Sequence, residues 1–227
     1  MTALASSPII AALDRSTLPE AEELADRLAP FVAMLKVGLE LFWAAGPQAL
    51  RGIGERAPVF ADSKLHDIPN TVEQASANIA ALGVAMFNVH ALGGEAMMRA
   101  AVRGAEKGAA RAGCPKPLVI AVTVLSSQSG EELASPASLA YEARTAGLDG
   151  VVVSGEDVKD VRDACGEGFL LVVPGIRPEG TNGHDQVRVL TPRDALSRGA
   201  DYLVIGRPIT GSADPAGAAR SILEGLS

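Results

Sequence analysis

The charged residues best suited to chemistry lie in the segment Val59–Asp67, which reads VFADSKLHD. Asp62 and Lys64 are two residues apart in an apolar run, so both side chains are expected on one face of a β-strand. Lys36 lies in another apolar run, where only a network that satisfies its charge would tolerate it. Carboxylates beside lysines favour the cationic form, and a cationic lysine held in place can donate a proton. The pattern predicts a proton-delivering array formed by these residues and Asp67; solvated surface ion pairs are the alternative interpretation.

Polar groups also lie at the ends of the last two apolar runs. Gly206 and Arg207 end the final run, where a glycine can expose its amide and an arginine supplies a planar set of donors for a phosphate. Arg177 follows the preceding run. The long polar segment 179–188, which contains Gln186, is expected to form a lid over a ligand. Rim salt bridges and ordinary loop polarity are the alternatives for these residues.

Hydroxyl and imidazole groups carry weaker signals. Ser126 follows the fifth apolar run and could contact the amide edge of a heterocycle, although a turn or helix-cap serine is an equal alternative. The three histidines, His66, His90 and His184, do not have a convincing metal-ligand spacing, and His90 is expected to be satisfied locally. No metal is predicted.

Eight short apolar runs alternate with amphipathic, alanine-rich segments. The predicted strands are Pro8–Asp14, Phe31–Gly38, Val59–Leu65, Met86–Ala91, Leu118–Leu125, Gly150–Ser154, Phe169–Gly175 and Tyr202–Arg207. The predicted helices are Leu18–Ala29, Glu40–Arg56, Thr71–Leu82, Gly94–Ala112, Pro136–Ala146, Glu156–Cys165, Pro192–Arg198 and Pro215–Leu226. Strict alternation implies parallel strands with right-handed crossovers, and eight such units favour an α/β fold of the (β/α)8 TIM-barrel type.

Local signals agree with this division of the chain. Hydroxyl residues precede prolines at three predicted helix starts: Thr17, Ser135 and Thr191. Glycines follow four predicted helix ends: Gly83, Gly113, Gly147 and Gly199. The turn after the first strand, which begins at Asp14, contains no glycine, and this argues against an open doubly wound sheet. Since no linker or low-complexity segment interrupts the alternation, we expect a single barrel domain over residues 1–227.

Composition excludes several classes of protein. A formal net charge of −7 disfavours nucleic-acid polymers as partners. The chain has no signal-peptide pattern at its start and no run near the roughly 18 apolar residues that span a bilayer. We therefore expect a cytoplasmic protein without a membrane partner. Cys114 and Cys165 are far apart and are expected to be free thiols.

The motifs resemble those of a known enzyme family. The stretch 62–71, DSKLHDIPNT, closely resembles the signature of orotidine 5′-monophosphate decarboxylases. Five further motifs agree in order and spacing: Ala11–Asp14, Leu35–Gly38, Asn88–Ala91, Pro174–Arg177 and Ile205–Pro208. The resemblance extends from about Pro8 to Ile222 and implies conversion of orotidine 5′-monophosphate to UMP and CO2 without a metal or organic cofactor.

The resemblance implies roles for the charged residues. Lys64 would protonate C6 of the pyrimidine as CO2 leaves, and Asp62 would lie against the substrate carboxylate. Lys36 would bind a ribose hydroxyl and would hold the carboxylates of the array in place. Asp14 would hold the base or ribose region.

A homodimer and a phosphate site are also implied. Asp67 and Thr71 would reach across the dimer interface into the partner's site, which Ile68 would line. Ser126, where the family commonly has threonine, would contact the base. The remaining residues would bind the substrate and its phosphate: Arg177, Gln186, Gly206 and Arg207.

Two other functions remain open at this stage. A metal-dependent sugar-phosphate decarboxylase or aldol-type lyase would share the Asp-x-Lys-x-x-Asp pattern, although the continuation HDIPNT at 66–71 argues against it. A non-catalytic sensor of phosphorylated ligands would not need two lysines and two aspartates placed together.

Overall fold

In the computed structural model, which describes residues 7–124, 134–178 and 190–226, eight parallel strands close into a barrel in chain order. Each strand pairs with its successor, and the last pairs with the first. The strands are β1 (Ile9–Ala12), β2 (Met34–Val37), β3 (Val59–Leu65), β4 (Met86–His90), β5 (Leu118–Val122), β6 (Gly150–Val152), β7 (Leu170–Pro174) and β8 (Tyr202–Ile205). The predicted (β/α)8 barrel is confirmed.

Ten α-helices occur in the described part of the chain, and they connect the strands around the outside of the barrel. They are α1 (Leu18–Leu28), α2 (Leu39–Ala45), α3 (Pro47–Gly54), α4 (Pro69–Ala80), α5 (Gly94–Ala112), α6 (Pro136–Thr145), α7 (Val158–Cys165), α8 (Pro192–Ser197), α9 (Arg207–Thr210) and α10 (Pro215–Glu224). Within these ranges no helix is both long and apolar enough to cross a membrane.

The single helix predicted over Glu40–Arg56 is wrong, because two helices, α2 and α3, occupy this stretch. Gly46 separates them with a φ of +61°. Pro47 follows, and proline both lacks an amide hydrogen and disfavours helical geometry in the residue before it. The glycine tolerates the left-handed conformation that this break requires.

Several strand and helix ends also differ from the prediction. β8 ends at Ile205, and Arg207 begins the unpredicted short helix α9. β5 ends at Val122, three residues before the predicted end, and β2 begins only at Met34, after a 3-10 turn. Helix α4 begins at Pro69, two residues early, because proline is well suited to the first helical turn.

The predicted helix caps are confirmed in two of three cases. Ser135 Oγ accepts a hydrogen bond from the Ser138 amide at 3.2 Å, and Thr191 Oγ1 accepts one from the Asp194 amide at 3.1 Å. Thr17 is wrong as a side-chain cap, because it forms no such bond at the start of α1. The four glycines predicted beyond helix ends all have positive φ, which explains glycine there: Gly83, Gly113, Gly147 and Gly199.

An apolar layer fills the barrel interior. It consists of one buried cluster contributed by six strands: Ile10, Met34, Phe60, Met86, Ile120 and Val172. Because side chains alternate along a strand, the residue two positions later points to the same face. Lys36, Asp62 and Asn88 each follow a member of this layer by two residues. The barrel therefore brings these three polar side chains together above its apolar interior, at the carboxyl ends of the strands.

Candidate active site at the carboxyl ends of the strands

Lys36, Asp62 and Lys64 form one continuous ion-pair array. Lys36 Nζ lies 3.2 Å from Asp62 Oδ2, and Lys64 Nζ lies 2.5 Å from Asp62 Oδ1. Lys36 is 8% exposed, whereas Lys64 is only partly buried. The carboxylate thus holds one ammonium group in the barrel and presents a second one at the rim.

The backbone of β3 brings Lys64 into this position. Ala61 pairs with Phe87 of β4, but the next paired residue of β3 is Leu65, which pairs with Val89. Four steps along β3 therefore match two steps along β4, as in a β-bulge. Lys64 has a φ of +48° and is the one residue other than glycine in the described ranges with a positive φ. This conformation is uncommon for a side-chain-bearing residue and often occurs at functional sites.

Burial and charge act in opposite directions on Asp62. Burial raises its pKa, but the ammonium groups of Lys36 and Lys64 lower it, and hydrogen bonds from Lys64 and Asn88 lower it further. The net effect places the pKa of Asp62 below its ordinary value. Asp62 is therefore a carboxylate at neutral pH, and both ammonium groups lie against its negative charge.

Asn88 is a site residue to which the sequence interpretation gave no role. It is 1% exposed, donates from Nδ2 to Asp62 Oδ1 at 2.7 Å, and accepts at Oδ1 from the Lys64 amide at 2.7 Å. One sequence signal could have identified it. An asparagine in an otherwise apolar strand, next to the strand of Asp62 and Lys64, must find polar partners inside the barrel.

Asp14 extends the array toward the β1 end of the rim. Its Oδ1 lies 3.5 Å from Lys36 Nζ, and its side chain is largely exposed. Gly38 makes this contact possible, because a Cβ there would lie 3.1 Å from Lys36 Nζ and 3.2 Å from Asp14 Oδ1. A side chain at position 38 would therefore crowd the pair.

The structure does not bring Asp67 into the array of its own chain. Its Oδ1 accepts a hydrogen bond from the Ile68 amide at 2.6 Å, and among the described residues it makes no ion pair with either lysine. Asp67, Ile68 and Thr71 are all exposed at the start of α4. Of the four residues of the array predicted from sequence, Lys36, Asp62 and Lys64 come together in this chain, and the second carboxylate beside them is Asp14 instead of Asp67.

The residues predicted to bind phosphate lie at the ends of the neighbouring strands β7 and β8. Arg177 is partly buried, and its amide donates to the Leu190 carbonyl at 3.1 Å. Gly206 lies beside the end of β1, since a Cβ there would be 3.7 Å from Ala12 Cβ and 4.0 Å from Asp14 Oδ2. Arg207 is exposed one residue later. Ser126, Gln186 and the predicted lid lie outside the described residues.

His66 and His90 form an unexpected pair beside the array. Their rings stack with centroids 5.5 Å apart and an interplanar angle of 30°. Burial lowers the pKa of His90, and the nearby His66 and Lys64 lower it further against the opposing effect of Asp62. The neutral imidazole is therefore favoured. No group of three or more potential metal-ligating side chains occurs in the ranges that the structure describes.

Known proteins resemble the chain in both sequence and fold. An orotidine 5′-phosphate decarboxylase of Moorella thermoacetica is 50% identical over 230 residues, covering 96% of this chain and 91% of the relative. Another, of Anaeromyxobacter dehalogenans, is 50% identical over 232 residues and covers 97% and 99%. The crystal structure of orotidine 5′-phosphate decarboxylase from Lactobacillus acidophilus has a TM-score of 0.85 at 35% identity, covering 98% of this chain and all of that one.

The family model for "Orotidine 5′-phosphate decarboxylase / HUMPS family" matches residues 7–222. This range includes all eight strands and the whole Lys36–Asp62–Lys64 array. Because the match spans nearly the entire chain and the curated relatives are half identical over nearly their full lengths, the chain belongs to the orotidine 5′-phosphate decarboxylase / HUMPS family.

Proposed function

We propose that this protein is an orotidine 5′-phosphate decarboxylase, which converts orotidine 5′-phosphate to UMP and CO2. The observation that carries the proposal is the contact between Lys64 Nζ and the ionised Asp62, at the rim where barrels of this type build their active sites. Family membership supports the same reaction.

The array suits a decarboxylation in which carbon gains negative charge. The bond between C6 and the carboxylate breaks, the electron pair stays on C6, and neutral CO2 leaves. The Lys64 ammonium group stabilises the developing charge and then donates a proton to C6. The neutral amine regains its proton from water. Asp62 is proposed to lie against the substrate carboxylate, so that repulsion between the two anions falls as CO2 departs.

Lys36 and Asp14 are proposed to bind the ribose and base and to keep the array charged. Lys36 contacts both carboxylates, at 3.2 Å and 3.5 Å. Its ammonium group can donate three hydrogen bonds. A ribose hydroxyl is therefore proposed to accept the third hydrogen bond from Lys36, beside the two carboxylates.

Phosphate binding is proposed for the β7–β8 side of the rim. Arg177 and Arg207 follow adjacent strands, and Gly206 exposes backbone next to Asp14. Gln186 is proposed to join this phosphate site, and Ser126 is proposed to contact the base. Binding energy from the phosphate, which is remote from C6, can orient the pyrimidine over Lys64.

We also propose a homodimer in which Asp67 and Thr71 complete the partner's site. The support is that, in the described part of the chain, Asp67 forms no ion pair with Lys36 or Lys64, while Ile68 beside it is 67% exposed. Further large apolar side chains are exposed on the segments that follow β2 and β4, the two strands on either side of β3: Leu39, Trp43 and Leu92. A second copy that covers this face would bury apolar surface and bring its own Asp67 near the partner's lysines.

The test is turnover of orotidine 5′-phosphate by purified protein, followed through the pyrimidine absorbance with and without EDTA. Equal turnover in both samples is the expected result. Turnover that depends on an added divalent metal would favour the metal-dependent lyase instead. Binding of the nucleotide without any turnover would favour a sensor.

A further inference from the structure

We propose that Asn88 is a positioning residue that sets the geometry of both Lys64 and Asp62. Three of its groups contact three consecutive residues of β3. Its Nδ2 donates to Asp62, its backbone carbonyl accepts from Ser63 Oγ at 2.9 Å, and its Oδ1 accepts from the Lys64 amide. Asn88 therefore faces the whole irregular part of the strand.

The register of the two strands explains why one residue meets three. Between the pairs Ala61–Phe87 and Leu65–Val89, β3 has three residues and β4 has only Asn88. The regular backbone hydrogen bonds between the strands cannot pair three residues of β3 with one of β4. A buried amide left without an acceptor would destabilise the fold. The carboxamide of Asn88 supplies the missing acceptor to Lys64. This bond stabilises a backbone conformation, with φ of +48°, that lysine otherwise disfavours.

The chemistry of the contacts selects a carboxamide. The position needs an acceptor for the Lys64 amide and a donor for the Asp62 carboxylate, both within reach of a short side chain. Aspartate would offer the acceptor but would place a second negative charge beside Asp62. Leucine would have a comparable size but neither function. Asparagine satisfies both requirements.

Asn88 acts on the reaction only through its neighbours, because it is 1% exposed and lies beneath the array. Losing it would let Lys64 and Asp62 shift relative to C6 of the pyrimidine. Such a shift affects the chemical step more than substrate binding. This consequence rests on the proposed decarboxylase function.

The first test compares Asn88→Ala with wild type in kcat and KM for orotidine 5′-phosphate. We expect kcat to fall about 100-fold, the loss associated with a misplacement near 1 Å, while KM changes little. Asp149→Ala is the matched control. Asp149 also uses its side chain to accept a neighbouring strand's amide, that of Val119 at 2.7 Å, but at the opposite end of the barrel. It should lower stability and leave kcat unchanged.

A second variant, Asn88→Asp, preserves size and protects the test against a folding failure. The introduced carboxyl would contact Asp62 and the Lys64 amide on β3. The other titratable groups around it are Lys36 on β2, which pairs with Asp62, and His90, which lies two residues further along its own strand. Asp62 would raise the pKa of this carboxyl by repulsion, and the ammonium groups of Lys64 and Lys36 would lower it. When protonated, the carboxyl can donate to Asp62 as the amide does. The activity of this variant relative to wild type should therefore recover as the pH is lowered.

A wild-type kcat in folded Asn88→Ala would overturn the positioning role, and so would a loss of kcat in Asp149→Ala equal to that in Asn88→Ala. So would an Asn88→Asp variant whose activity relative to wild type does not change with pH. If wild-type protein fails to decarboxylate orotidine 5′-phosphate, the proposed function fails and a crystal structure of Asn88→Ala still decides this inference. An unchanged Lys64 φ and an unchanged β3–β4 register in that crystal would overturn it.

Discussion

Replacing Lys36 with methionine tests how much the array contributes to stability. Methionine keeps an unbranched side chain of similar length but removes the ammonium group that lies 3.2 Å from Asp62. At an effective dielectric constant of 20, that separation corresponds to a gross attraction of about 5 kcal/mol, before the cost of desolvation. Loss of one partner from a fully buried pair costs about 3–5 kcal/mol.

The expected loss of stability in Lys36→Met is smaller, because Asp62 keeps its hydrogen bonds from Lys64 and Asn88 and lies near the rim of the barrel. We expect the free energy of unfolding at pH 7 to fall by about 1–3 kcal/mol, below the range for a fully isolated buried charge.

The stability difference between Lys36→Met and wild type should depend on pH. Burial raises the pKa of Asp62 but its partners lower it overall, so its stabilising contribution is complete above the ordinary value of 3.8. That contribution is lost as the pH falls below 3.8 toward the lower folded-state pKa.

Urea denaturation of wild type, Lys36→Met, Asp62→Asn and the double variant gives the coupling energy directly. The coupling should be favourable at pH 7 and should shrink on acidification, since Asp62 then becomes protonated. Lys159→Met is the control, because Lys159 pairs with Asp163 on the open surface of α7. Its effect should be small at both pH values. Zero coupling at pH 7, or coupling that does not decrease with acid, would refute the electrostatic reasoning.

Three other tests address the proton donor, the phosphate site and the subunit interface. Lys64→Ala should abolish turnover of orotidine 5′-phosphate with little change in melting temperature, and substantial activity in purified variant would rule out this donor. Arg207→Ala should weaken nucleotide binding by about 2–3 kcal/mol, with a much smaller loss for orotidine without phosphate; equal losses measured by calorimetry would contradict the assignment. Mixing Lys64→Ala with inactive Asp67→Ala should restore roughly a quarter of the sites after random exchange. Confirmed heterodimers without activity would mean that Asp67 serves its own chain.

Much of the architecture could be predicted because it depends on local signals. Eight apolar runs separated by amphipathic segments indicate parallel strands with helical crossovers, and that alternation favours a closed barrel. The charged residues in strands were also visible, since Lys36 and Asp62 interrupt runs that burial would otherwise make apolar. The break at Gly46-Pro47 was missed although its signal is local, because the surrounding residues keep a helical periodicity.

The arrangement of the site depended on contacts between distant parts of the chain. Alternation alone predicted Asp62 and Lys64 on one face, but it could not reveal the register shift or the positive φ at Lys64. Those features exist only because β4 lies beside β3 and offers Asn88 to the irregular strand. The stacking of His66 on His90 likewise requires the two strand ends to meet.

The sequence by itself therefore determined which residue types face the barrel interior and which strands carry charge. The tertiary structure decided which of those charges meet: Lys36 with Asp62 and Asp14, Lys64 with Asp62, and Asp67 with neither lysine of its own chain. The physical reason is one of range. Strand periodicity follows from backbone geometry within a few residues, whereas ion pairs and amide contacts between strands depend on barrel closure and register.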